Sequence, residues 1–164
     1  MAQWGIAFLS AHVTIGRLFL PTGFTMQRID IQKSFPFPVT DLFAFFADHE
    51  NLEKVFVPAK IRRIKDGEGD INGLGSVRRL RILIAPPFEE TVTVFVPNER
   101  IEYRITRGSP LRNHHGVMRF SDDGQGGSHL HYTIEFEGKL PLVAAIVRAA
   151  LDRGIRKALD GLRL

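Results

Sequence analysis

The chain ends in one long amphipathic helix, Leu140 to Leu164, arriving after a series of short alternating strands. Val143, Ile146, Val147, Ala150, Leu151, Ile155, Ala158, Leu159 and Leu162 recur at helical spacing and predict one apolar stripe. Arg148, Arg153, Arg156 and Lys157 sit mostly off that stripe, beside Asp152 and Asp160. Pro141 suits a first helical turn, where its missing N–H leaves nothing unsatisfied. Gly154 marks a mid-helix position where a bend or a close contact is expected. A helix in this position must be laid across a sheet. It then either packs that sheet solid or roofs a cavity, and the strands have to decide between the two.

Composition narrows the partners. At 164 residues a single domain with one core is expected, and 44% hydrophobic with 24% charged residues is an ordinary globular profile. With no cysteine, disulfides, thiolate catalysis and cysteine-based zinc sites are excluded. Nothing argues for an oxidising compartment, so a cytoplasmic location is expected. The net charge of +4 is a small excess of 22 basic over 18 acidic residues, not a polybasic arm, and no nucleic-acid partner is expected. Thirteen phenylalanines against one tryptophan and two tyrosines predict an interior lined by rings that form no hydrogen bonds.

Residues 1–25 read as an N-terminal extension. They carry one formal charge, Arg17, among scattered apolar residues, and fit neither a secretory signal nor a transmembrane helix. Met26 reads as a fresh start, with the leader an annotation extension or a loosely attached tail. A surface-binding amphipathic segment is the rival reading. From Gln27 the punctuation is clear: a first strand over 27–33, ended by Pro36 and Pro38, then a short helix that Thr40 or Asp41 can cap. Asp48 can cap a second short helix that stops before Pro58. Six strands follow, over about 60–65, 76–85, 88–96, 100–107, 111–121 and 128–139, separated by Gly and Pro turns. The class expected is α+β, with a curved seven-stranded antiparallel sheet and its helices on one side.

Four segments in this order resemble the START-like, Bet v 1-type superfamily, and within it the polyketide cyclase/dehydrase-like (SRPBCC) branch. They are Ser34 through Phe43 with its two prolines, Asp48-His49-Glu50-Asn51-Leu52, Gly73-Leu74-Gly75-Ser76-Val77-Arg78, and Arg112-Asn113-His114-His115-Gly116 ahead of the final helix. The resemblance spans about residues 26–162. It implies a helix-grip fold, a sheet gripping the C-terminal helix over a deep apolar cavity, and makes residues 26–164 one ligand-binding domain. It implies no single chemistry, since such proteins include aromatic cyclases, lipid and hormone binders and quinone-binding chaperones. The chain lacks the gate sequence of the hormone receptors after its third strand, so sensing by that mechanism is not expected.

Strand parity nominates the cavity wall. Leu130, Tyr132, Ile134 and Phe136 share a face, and the register that turns Met118 and Phe120 inward also turns His114 inward and His115 out. The same counting puts Ile101, Tyr103 and Ile105 inward, with Val92, Val94 and Val96 on the next strand and Glu90 at their rim. Arg78, Leu80, Ile82 and Ile84 form a third row, and Val147 and Leu151 face them from the helix.

Arg78, Glu90, Tyr103, His114 and Tyr132 are then the polar groups on an apolar wall, and each needs a partner, a water or a ligand. As catalytic candidates, His114 would serve as general acid or base, and Arg78 would steady an enolate or a carboxylate. The bland alternatives stand beside these: a strand histidine bonded to a neighbour, tyrosines packed at the rim, and Arg78 paired with Glu90. No metal site is expected, because His115, His129 and His131 lie on an exposed face without a matching ligand set. No other cofactor is expected either.

The leading expectation is a module that holds a small hydrophobic molecule, aromatic, polyketide-like or acyl, between sheet and helix. The alternatives are a cyclase/dehydratase-type enzyme and a lipid or quinone carrier that touches a membrane surface through the basic face of the last helix. The oligomeric state is left open.

Overall fold

The computed structural model describes residues 26–138 and 141–164. The leader over 1–25 and the first residue of the expected helix, Leu140, lie outside that range. Seven strands form one antiparallel sheet in the order β1-β7-β6-β5-β4-β3-β2. They are β1 Gln27–Phe35, β2 Ala59–Lys65, β3 Val77–Ile82, β4 Phe88–Val96, β5 Arg100–Arg107, β6 Leu111–Asp122 and β7 Ser128–Gly138. Two short helices, α1 Val39–Ala47 and α2 Leu52–Val55, follow β1, and α3 Pro141–Asp160 closes the chain. This is the helix-grip arrangement: every neighbouring pair except β1–β7 is joined by a hairpin, and α3 lies over β1 and β7 and also meets α2.

The phenylalanines do much of the packing. Phe43 meets Phe95 and Phe120 edge-on with ring centres 5.3 Å apart in each pair, and Phe45 does the same to Phe46. Such edge contacts add about 0.5–1.5 kcal/mol per pair to area burial. Leu42, Phe46, Leu52, Leu130, Ile134 and Phe136 are all sealed from water.

Several local expectations are corrected. Neither Thr40 nor Asp41 caps α1; Pro38 precedes the helix and its carbonyl accepts the N–H groups of Asp41 and Leu42. Asp48 caps no helix, because its carboxylate accepts the Glu50 N–H in a tight turn and α2 starts at Leu52. Strand β3 stops at Ile82, since Leu83 takes a left-handed backbone (φ 50°), so Ile84 leaves the inward row and stands in solvent. Strand β4 carries a bulge between Val92 and Val94. Beyond it Phe95 pairs with inward Ile101 and Val94 with outward Glu102, so Val94 does not line the wall and Phe95 replaces it.

The helix also sits differently from its predicted stripe. Ala144, Ile155 and Leu159 are buried and Val147, Leu151, Ala158 and Leu162 half-buried against the core, whereas Val143, Ile146 and Ala150 face solvent. Burial along α3 is confined to a narrow stripe, and the larger apolar side chains of its N-terminal half, Leu142, Val143 and Ile146, are exposed. Gly154 answers to no close contact: a Cβ built there meets nothing within 4 Å.

Candidate functional site

Five strands, β3 to β7, each bring one polar side chain into the apolar interior. Arg78 and Glu90 face each other directly across the β3–β4 ladder. Arg78 is 1% exposed; its Nε donates to Glu90 Oε2 at 2.8 Å. Nη2 lies 2.8 Å from the same oxygen without the direction of a hydrogen bond, so its N–H groups have no acceptor among the described residues. The guanidinium also stacks on Tyr103, with Cζ 4.4 Å from the ring centre. Burial works to lower the Arg78 pKa, but Glu90 together with Tyr103 and Tyr132 outweighs it and holds the group above its ordinary value. The arginine is charged at every accessible pH.

Tyr103 and Tyr132 join hydroxyl to hydroxyl in the interior. Burial pushes both phenols up, so both are neutral. The Tyr103 ring has room because its cross-strand neighbour is Gly116: a Cβ there would stand 2.2 Å from Tyr103 Cζ. His114 is buried 5.5 Å from the Tyr103 ring, centre to centre. Its Nδ1 accepts the Ile105 N–H at 3.3 Å, which leaves the proton on Nε2. Burial lowers its pKa, so the ring is neutral and offers an N–H donor.

The structure thus gathers Arg78, Glu90, Tyr103, His114 and Tyr132 as strand parity places them, with Leu80, Val92, Met118, Phe120 and Ile134 buried around them and Ile82, Val147 and Leu151 at the edge of the core. Arg78 does pair with Glu90, the bland reading of that residue. His115 turns outward as expected and bonds Glu102 at 2.8 Å, while His131 bonds Asp30 at 2.9 Å and His129 Nδ1 meets Ser34 Oγ at 2.8 Å. These three surface histidines have separate partners, and no metal-binding group of three or more such side chains occurs among the described residues.

One buried residue is absent from the predicted set. His49 is fully enclosed, with Nε2 3.5 Å from Ser76 Oγ. Ser76 gives its own proton to the Asn72 carbonyl at 2.9 Å, so His49 Nε2 is the donor and Nδ1 is left as a bare acceptor. Burial, reinforced by Arg78 and Arg63, lowers its pKa to about 3. His49 carries no signal in the periodicity, because it falls in the turn between the end of α1 at Ala47 and the start of α2 at Leu52. It joins two of the resembling segments, Asp48–Leu52 and Gly73–Arg78, beside the arginine.

The model of the family described as polyketide cyclase / dehydrase and lipid transport matches residues 26–164. Among solved structures, the Zhui aromatase/cyclase of Streptomyces sp. R1128 superposes with a TM-score of 0.67 at 18% identity, covering 83% of this chain and 93% of that one. A START superfamily protein of Mycobacterium smegmatis gives 0.67 at 16% identity, covering 82% and 94%. Norcoclaurine synthase of Thalictrum flavum, in complex with a transition-state analogue, gives 0.56 at 12%, covering 84% and 97%. At these identities the likeness is one of fold. No curated protein matches the chain.

Proposed function

Because the chain belongs to the polyketide cyclase / dehydrase and lipid transport family, we propose that it binds a small, mainly apolar molecule, aromatic, polyketide-like or acyl, between the sheet and α3. The ligand presents one oxygen acceptor to Arg78. The observation that carries this reading is the Arg78 guanidinium, sealed in the interior with Nη2 beside the Glu90 carboxylate but without a hydrogen-bond acceptor among the described residues. An unmet buried donor of this kind costs about 1–3 kcal/mol, more when charged, and a ligand carbonyl or carboxylate would recover it. The neutral N–H of His114 and the paired tyrosines supply further donors, while Val92, Met118, Ile134 and Leu151 supply the greasy wall.

A second reading, a cofactor-independent cyclase/dehydratase-type reaction, draws on the His114 tautomer. With Nδ1 engaged by Ile105, His114 donates a hydrogen bond from Nε2 to a carbonyl oxygen of the ligand, and Arg78 stabilises the negative charge that develops on that oxygen. That assigns His114 the acid half of acid–base chemistry.

Native mass spectrometry of gently purified protein tests the binding reading. A co-purifying apolar adduct is expected in the wild type and is lost in Arg78→Gln. A wild type without adduct that also ignores aromatic and acyl probes would overturn it. His114→Ala separates the two readings: unchanged affinity with turnover abolished favours chemistry, and a wild type without turnover leaves binding alone.

A further inference from the structure

Most of the large apolar side chains that the described residues leave in water gather at one end of the sheet. The register defines that end: Ala59 pairs with Ile82, Glu89 with Arg107, Leu111 with Gly138 and Gln27 with Phe136. The β3–β4 loop, the β5–β6 loop and the start of α3 therefore lie together. Here Ile84 is 99% exposed, Leu142 74%, Val57 71% and Leu83 70%, with Ile146 beside them on α3. Surface residues of this kind are ordinary singly, but a cluster from three chain segments is a contact surface.

Two features show that the loop is built to hold these side chains outward. Leu83 carries a left-handed backbone, which costs a non-glycine residue on the order of 1 kcal/mol. The loop is also propped from behind, because Gly108 of the β5–β6 loop lies so close that a Cβ on it would be 2.6 Å from the Pro87 carbonyl.

The charges around the apolar tips identify the partner. The outer face of the β2–β3 hairpin sets like charges opposite one another, Lys60 against Arg81 and Arg62 against Arg79. Cross-strand repulsion of this sort works against the fold. Glu53 answers Lys60 and Glu89 answers Arg79, but Arg62, Arg81 and Arg107 have no acidic partner among the described residues. A second copy of the chain would bring the same cations face to face. An anionic bilayer would instead take apolar tips into its interface and cations onto its headgroups.

We propose that this end of the molecule docks on anionic phospholipid membranes, with Ile84, Leu83 and Leu142 inserted and Arg81, Arg62 and Arg107 at the headgroups. The inference is independent of what the interior holds. It is separate from the contact first expected on the basic face of α3, where Arg156 bonds Asp152 and the Asp30 carbonyl.

Sedimentation of the full chain with vesicles of phosphatidylcholine, with or without phosphatidylglycerol, tests it. The protein should bind only the anionic vesicles, and less as salt is raised. Arg62→Gln with Arg81→Gln should lower partitioning by on the order of fivefold per charge removed. Ile84→Asp should abolish binding, and a circular-dichroism melt equal to wild type would show that the fold is intact. Failure of the wild type to bind, or equal binding by these variants, would overturn the proposal. So would light scattering that shows a dimer which Ile84→Asp turns into monomer while vesicle binding is unchanged.

Discussion

Arg78 and Glu90 stand directly opposite on neighbouring strands, both sealed from water, and share one carboxylate oxygen at 2.8 Å. A surface pair of this geometry would contribute little, because water screens it. In the interior each charge depends on the other. Glu90→Gln alone should therefore destabilise the protein by about 3–5 kcal/mol in urea unfolding, because it leaves a buried guanidinium uncompensated. Arg78→Met combined with Glu90→Leu should recover most of that loss. If the pair is kept for ligand rather than for stability, the recovered protein folds but binds no adduct.

Gly116→Ala addresses the space that lets Tyr103 lie flat against its neighbour. The added methyl would sit 2.2 Å from the ring carbon Cζ, so ring or strand must move. A loss of about 1–3 kcal/mol is expected, the range of overpacked cores. Tyr103→Leu should make the alanine far less costly, and a double-mutant cycle reads that coupling as non-additivity. Strict additivity would mean that the ring is not the obstacle.

Acid should weaken the fold before its carboxylates protonate. His49 and His114 are held neutral below their ordinary pKa, so the unfolded chain takes up protons that the native chain refuses. Their contribution is complete above the unfolded value of about 6.5, and is lost as pH falls below it, down to about 3 for His49. Each histidine adds up to about 1.4 kcal/mol per pH unit to that decline. His49→Gln, which keeps a donor for Ser76, should flatten the stability profile between about pH 6 and pH 5 by close to one proton. An unchanged slope would show that His49 is already protonated in the native state.

Gly154→Ala should stabilise. The position is helical, a methyl there meets nothing within 4 Å, and alanine restricts the unfolded chain. A gain of about 0.5–1 kcal/mol is expected in thermal or urea unfolding. A loss would reveal a contact on that side of α3.

Much of this was local and therefore legible. Strands repeat every second residue and helices at their own spacing, so alternation alone placed Tyr103, His114 and Tyr132 inward and His115 outward. Composition removed disulfides and cysteine chemistry from consideration. What one period cannot register is an interruption of it. The β4 bulge exchanged Val94 for Phe95, and the left-handed Leu83 sent Ile84 into water, because sheet curvature and loop packing act on residues distant in the chain. Bringing His49 to Ser76, stacking Arg78 on Tyr103 and narrowing the buried stripe of α3 are likewise meetings between remote segments. Side-chain pattern says which face is apolar; only the closed sheet decides which faces meet.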